Sequence, residues 1–294
     1  MKTLSNCPVC NGTIFTPFLT CKDHTVSGIE FEIVSCANCN FKFTNPRPDD
    51  ELLGDYYKSE EYISHSNTNK GLISKLYHLV RNYTLNKKVK LLSRFVSRGT
   101  ILDYGCGTGM FLNACQQSGW EIYGMEPDAS ARKIGSEMGL KVFSDKSSLK
   151  AGFGTKQLDV ITFWHVLEHV TDLPQTLTFV KENLKQDGLL VIALPNYKSY
   201  DARYYEKFWA AYDVPRHLYH FDIDTIQKLL IPYGFKLIET KPMKFDSFYV
   251  SMLSEKCKTG SVNYLQAFLT GLRSNSKADS AAEYSSVIYL FKQI

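Results

Sequence analysis

A chain of 294 residues with 44% hydrophobic side chains has enough apolar surface for one core of ordinary size plus a small appendage. Its formal charge of +4 comes from 34 basic residues dispersed among 30 acidic ones, which excludes the concentrated positive field of a nucleic-acid binder. No apolar run approaches the roughly 18 residues of a membrane span, so a globular protein without a membrane partner, cytoplasmic by default, is expected.

The first module covers residues 1–47 and carries two Cys-x-x-Cys knuckles, Cys7/Cys10 and Cys36/Cys39, separated by 25 residues. Each knuckle supplies two thiolates, and four thiolates close a tetrahedral structural Zn²⁺ site. The strand-prone stretches Thr13-Ile14-Phe15 and Ile29 to Val34 would bring the knuckles together as hairpin ends, in the manner of a zinc ribbon. Two disulfides are the alternative. No basic, apolar and small-residue leader pattern precedes Cys7, so a secreted context has no support and zinc is preferred. Cys21, Cys106, Cys115 and Cys257 are isolated thiols; Cys21 and His24 lie between the knuckles where spare ligands would be, but four sulfurs already close the site.

Residues 48–98 follow as a linker and helical lid. Tyr56, Tyr57, Tyr62 and His65 are placed to cover a site, with Tyr62 assigned to the substrate. Leu72, Ile73, Leu76, Leu79, Val80 and Tyr83 then recur at helical spacing. The basic cluster Lys87, Lys88 and Lys90 in this helix reads as a solvated face.

From residue 99 to 294 short apolar strands alternate with helices. Strands are expected at 101–103, 121–125, 141–143, 159–163 and 189–194, with helices from Met110, over 128–138 and over 172–185. Two more strands are expected at 236–240 and 287–291, and the polar stretch Ser274 to Ser286 reads as a mobile loop. Such alternation gives a doubly wound, mostly parallel sheet covered on both faces, an α/β architecture in which ligands sit beyond the carboxyl ends of the strands.

The first strand of this region ends in Asp103 and runs into Gly105-x-Gly107-x-Gly109. A glycine-rich strand-to-helix turn alone only says that backbone must approach a nucleotide closely. Met110 stands where a dinucleotide fingerprint would want glycine, and a carboxylate two residues before the first glycine suits a cationic amino group better than a pyrophosphate. Glu126, at the end of the second strand, is placed to accept ribose hydroxyls; simple helix capping by Asp103 and Glu126 is the competing reading.

On Leu102 to Gly109, Tyr123 to Pro127 and Phe163 to His169, the chain resembles the class I S-adenosylmethionine-dependent methyltransferases. More narrowly, it resembles bacterial small-molecule methyltransferases with an N-terminal zinc ribbon, through the later segment Asp213 to Phe221. The resemblance implies a Rossmann-like seven-stranded sheet whose last two strands form an antiparallel pair. It also implies S-adenosylmethionine as cofactor, with contacts from Asp103, Gly105, Gly107, Gly109, Glu126, Asp145 and Trp164, where Asp145 would accept the adenine amine. An insertion over about residues 197–221 would wall the substrate pocket. There the resemblance puts Arg216 on a polar handle of a small-molecule acceptor, a sugar or aromatic metabolite. His217 would be the general base, with His165 and His220 as alternatives, for O- or C-methylation.

Two rival functions follow from other features. His165-Val166-Leu167-Glu168-His169 fits an inverted zinc-peptidase pattern, but His165 directly follows a strand and the next helix starts near Asp172, so the two histidines would not share a helix face. A nucleic-acid or protein methyltransferase would use the ribbon as a reading head, yet the ribbon carries only Lys2, Lys22, Lys42 and Arg47 as cations. Neither the acceptor nor an oligomeric state is legible in the sequence.

Overall fold

The computed structural model describes residues 1–57, 72–155 and 157–294. Tyr62 and His65 lie outside the described residues.

The larger, C-terminal part is built on seven strands: β4 (Thr100–Tyr104), β5 (Glu121–Met125), β6 (Val142–Phe143), β7 (Leu158–Trp164), β8 (Leu184–Pro195), β10 (Phe235–Pro242) and β11 (Ser286–Gln293). They are ordered β10-β11-β8-β7-β4-β5-β6, and only β11 runs antiparallel to its neighbours β8 and β10. Chain order reverses on either side of β4, which pairs with β5 on one edge and β7 on the other. That reversal opens a crevice at the carboxyl ends of the strands. Burial explains why β8 is the most legible strand: every residue from Leu189 to Leu194 is buried, as a central strand covered on both faces requires. The strand starts five residues earlier than its apolar run, at Leu184, because its first residues are polar and partly exposed.

Helices α2 (Met110–Gln117), α3 (Ala129–Glu137), α4 (Lys146–Phe153), α5 (Leu173–Asn183) and α7 (Ile223–Leu230) cover the sheet, and α1 (Leu72–Leu92) leads into it. Asp128, Asp172 and Asp222 cap α3, α5 and α7 by accepting the N–H three residues on. Past the expected insertion lie α6 (Tyr200–Tyr205), α8 (Asp246–Thr259) and α9 (Tyr264–Ala281).

The N-terminal module forms a second, antiparallel sheet from β1 (Phe15–Lys22), β2 (Glu30–Cys36) and β3 (Lys42–Thr44). Its fourth strand, β9 (Tyr219–His220), comes from the far side of the sequence: Lys42 pairs with His220 and Phe43 with Tyr219. An aromatic stack seals the junction, with Phe41 5.8 Å from Tyr219 and 5.2 Å from Phe221 between ring centroids.

The polar stretch beginning at Ser274 is not a loop, because α9 continues to Ala281. Buried Asp201 is the reason. Its carboxylate accepts the Ser274 hydroxyl at 2.6 Å, the Ser285 hydroxyl at 2.7 Å and the Trp209 indole N–H at 2.8 Å. Serines that look like linker in sequence are therefore the paired donors of a buried charge. Nor does the basic cluster of α1 simply face solvent: the Lys88 ammonium lies 3.9 Å from the centre of the Trp164 ring.

Candidate active site

The four knuckle cysteines converge. Sγ of Cys7 is 3.5 Å from that of Cys39, Sγ of Cys10 is 3.5 Å from that of Cys36, and all four sulfurs lie within 4.8 Å of one another. Zn–S bonds of about 2.3 Å give a tetrahedron with edges of roughly 3.8 Å, so the cage matches one Zn²⁺ and none of the thiols is in a disulfide. Supporting donors are in place: the Val9 N–H points at the Cys7 sulfur and the Asn38 amide at Cys10. Cys21 and His24 are not spare ligands, since both line a cavity on the other side of the module.

The glycine turn leaves β4 with positive φ at all three glycines, +73° at Gly105, +53° at Gly107 and +80° at Gly109. Their reasons differ. A Cβ on Gly105 would sit 2.6 Å from Val166 and one on Gly109 2.4 Å from Leu140, whereas one on Gly107 would meet nothing within 4 Å. Packing thus explains the outer glycines, and Gly107 is the one that faces open space, as the close approach of a nucleoside requires. Glu126 is pinned beside it: one oxygen accepts the Gly107 N–H and the other the Asp128 N–H, both at 2.9 Å.

Asp103 is buried and accepts the Thr162 hydroxyl at 2.6 Å. Burial pushes its carboxyl up to about 7, and the nearby Glu126 adds to this, while the Thr162 hydrogen bond and the Lys88 ammonium oppose it. Trp164 stands alongside, its ring edge-on to Phe111 at 5.3 Å and its indole N–H buried without a partner among the described residues. A buried carboxylate, a ribose-sized carboxylate cradle, an open glycine and an orphan donor fit a cationic nucleoside cofactor. Asp145 is placed differently: it is exposed, caps α4 by accepting the Ser148 N–H at 2.8 Å, and takes the Ser144 hydroxyl on its other oxygen.

A cavity of about 770 Å³ opens beyond the ends of β7 and β8, and its wall includes Lys88, whose ammonium acts on Asp103. Separate segments wall it, among them Cys21, Lys22, His24 and Thr25 of the N-terminal module, Lys88 of α1, His165 after β7, Pro195 at the end of β8, the stretch around Trp209 to His217, Asp246 to Cys257 of α8, and Ser286 at the start of β11.

The candidate histidines prove to be of three kinds. His165, held at φ +57°, has Nε2 3.2 Å from Asp246 and Nδ1 3.5 Å from Glu168. Burial alone would lower its pKa, but the two carboxylates raise it to about 9, so at neutral pH it is an imidazolium and not a free base. His220 is a core residue: it is buried on β9 with Nε2 3.3 Å from the Thr44 hydroxyl, and burial, then His217 and Lys42, hold it well below the usual histidine range. That removes it as a catalytic candidate. His217 reaches the cavity with Nδ1 2.9 Å from the Ala211 carbonyl. A carbonyl only accepts, so the proton sits on Nδ1 and the Nε2 lone pair is available.

Arg216, expected on a substrate handle, lines the cavity but spends its donors on protein partners. Fully buried, it donates from Nε and Nη2 to Asp213, from Nη2 to Asp23 at 3.1 Å and from Nη1 to the Tyr56 carbonyl at 3.0 Å. It is a tie between the insertion and the N-terminal module. The zinc-peptidase pattern also separates, because Leu167–His169 is a single 3₁₀ turn that sends His169 toward His217 and His165 toward Asp246. Asp246, Lys88 and Asp23 were invisible as site residues. Each sits in an ordinary amphipathic or turn context with no motif around it.

Comparison with known proteins bears on the same residues. A family described as a methyltransferase domain matches residues 77–240. The ubiquinone biosynthesis O-methyltransferase of Rickettsia bellii (strain OSU 85-389) is 28% identical over 144 residues, covering 46% of this chain and 60% of that protein. The enzyme of the same name from Actinobacillus pleuropneumoniae serotype 5b is 31% identical over 106 residues, covering 33% of this chain and 45% of that protein. The chain therefore spans less than two thirds of these curated relatives. Among solved structures, the magnesium protoporphyrin IX methyltransferase of Synechocystis PCC 6803 with bound SAH superposes with a TM-score of 0.53 at 14% identity, covering 84% of this chain and all of that one. At that identity the likeness concerns the fold. Among the described residues no helix is long and apolar enough to cross a membrane.

Proposed function

The chain belongs to the methyltransferase-domain family, and we propose that it transfers a methyl group from S-adenosylmethionine to a small-molecule acceptor, a sugar or an aromatic metabolite. The observation that carries this reading is the cavity beyond β7 and β8: about 770 Å³ lies within the usual range for small-molecule sites, and Lys88, which acts on Asp103, is part of its wall. The cofactor, when bound, supplies an electrophilic methyl group on a sulfonium. Asp103 would accept its ammonium group and Glu126 its ribose hydroxyls, with Gly107 giving the backbone clearance.

On the acceptor side the protein must orient the nucleophile and take its proton. His217 is suited to the second task, since the Ala211 carbonyl fixes the tautomer with a bare Nε2 in the cavity. Phe208, Trp209 and Tyr212 give the flat apolar walls that a ring-shaped acceptor would pack against. The four cysteines would hold one structural Zn²⁺ and no activated water, because four thiolates leave no open position. Reduced thiolate ligands in turn favour a cytoplasmic location.

The direct test is to incubate the protein with methyl-labelled S-adenosylmethionine and a fractionated metabolite extract. Label in one or a few small, ring-bearing products is expected. Label carried by RNA or protein instead would overturn the small-molecule reading.

A further inference from the structure

Behind the wall that His217 presents to the cavity, three side chains form a cluster that cofactor binding does not use. The ligand atoms of Glu168, His169 and His217 lie within 4.8 Å of one another. The two imidazole rings meet edge to face with centroids 4.5 Å apart. His169 has Nδ1 3.0 Å from the Arg216 carbonyl, just as His217 has Nδ1 2.9 Å from the Ala211 carbonyl. The Tyr57 hydroxyl also lies 3.0 Å from Nδ1 of His169, and Nε2 of His217 stands 3.9 Å from an Asp213 carboxylate oxygen; because a carbonyl only accepts, both rings carry a proton on Nδ1, and neither Nε2 makes a hydrogen bond among the described residues. Backbone carbonyls that fix the outer nitrogen and leave the inner one bare are the usual outer support of metal-binding histidines. Glu168 adds an independent sign. It is 1% exposed, and neither of its carboxylate oxygens accepts a hydrogen bond. Its nearest ionic neighbour, Nδ1 of His165, stands 3.5 Å away. The His165 imidazolium meets one oxygen of this carboxylate from that distance, and the other oxygen has no donor among the described residues, which leaves room for a second cation.

We propose that Glu168, His169 and His217 bind one divalent first-row cation of the Zn²⁺, Mn²⁺ or Fe²⁺ type, with its open coordination positions toward the cavity and an acceptor oxygen as their natural ligand. Two nitrogens and one carboxylate form the donor set that such ions take while keeping positions free. Bonds of about 2.1 Å put cis ligand atoms roughly 3–3.4 Å apart, so the cluster needs only a small contraction. This is a different centre from the cysteine cage: it is open, nitrogen- and oxygen-rich, and beside the acceptor. The inference rests on the acceptor-side reading of the cavity. It also shifts the part played by His217, whose Nε2 takes a proton in the cation-free protein and becomes a ligand in the loaded one.

Cobalt(II) provides the probe. Protein with its cysteine cage zinc-filled is washed with EDTA and titrated with Co²⁺, and visible absorption reports the ligand field. One cobalt per chain is expected, with weak ligand-field bands and no intense thiolate charge-transfer band. The apparent affinity should fall at least about 10-fold in His169→Ala and in the isosteric Glu168→Gln, each checked for an unchanged melting temperature and cofactor affinity. Uptake only with a thiolate charge-transfer band, or equal uptake in both folded variants, would overturn the site. EDTA-washed protein that turns over its acceptor at the untreated rate would overturn a part for the cation in turnover, while leaving the methyltransferase reading intact.

Discussion

The glycine turn and the cavity both lie at the carboxyl edge of one sheet and are linked through Lys88, yet they are held by different means. The turn itself is local: Asp103, the three glycines and Glu126 fall within one strand-helix-strand unit, on which only Thr162 of β7, Val166 just after it and Lys88 bear from farther along the chain. Backbone bonds such as those from Gly105 and Cys106 to the Met125 carbonyl, at 2.7 and 3.0 Å, fix it. The cavity is assembled from segments spread over most of the chain and tied together by ion pairs such as Arg216 with Asp23 and Asp213. One site is encoded by a motif, the other by tertiary structure. The first should survive damage that destroys the second.

The most severe test of this contrast is removal of the zinc cage. Structural zinc contributes roughly 10–16 kcal/mol of apparent binding energy in comparable small modules, so Cys7→Ser/Cys36→Ser should unfold the N-terminal sheet, strip the cavity of its Cys21 and His24 wall and leave Arg216 without Asp23. Methyl transfer should be lost. Cofactor binding, followed by calorimetry, should weaken only slightly. Equal loss of both would mean that the two regions are one cooperative unit.

A gentler cut on the acceptor side is His217→Ala. With the acceptor in hand, kcat should fall by roughly 10²–10⁴-fold while cofactor affinity stays near wild type. Full turnover in the variant would take His217 out of the reaction.

The smallest effect belongs to the cofactor side. Asp103 is held with its carboxyl up at about 7, chiefly by burial, and a cationic ligand prefers the ionised form. Affinity should therefore rise with pH through that value: at pH 6 about a tenth of the carboxyl is ionised and at pH 8 nearly all, a difference of about 10-fold. Calorimetric titrations at the two pH values measure it, and Asp103→Asn should flatten the profile. A wild-type affinity independent of pH would show that Asp103 does not meet the ammonium group.

Legibility in the sequence followed the same divide. The strand-glycine-helix unit and the acidic end of β5 could be read because their spacing is dictated by one continuous piece of backbone, and the knuckles because metal geometry demands paired cysteines. Asp213 to Phe221 was readable as a motif but not as a set of roles. His217 reaches the cavity, Arg216 turns inward to carboxylates on two sides, and His220 sits on a strand that faces the core. Neighbouring polar residues look alike until the fold decides which partner each meets. Lys88 and Asp246 carry no local signal, since only the packing of α1 and α8 beside the sheet brings them near Asp103 and His165. Ser274 and Ser285 misled in the opposite direction, being buried donors to Asp201 in a stretch whose composition is that of a linker.

The pairing of Phe43 with Tyr219 also dictates an order of assembly. During synthesis the cysteine module can gather its metal as soon as its own residues emerge, but β3 then presents an open edge of unpaired N–H and C=O groups until the chain has grown by more than 170 residues. Open edges invite pairing with other chains. The module released alone, as a fragment ending near residue 57, should therefore self-associate through β3, and a nascent chain should depend on the late arrival of Tyr219 and His220 to become safe from its neighbours.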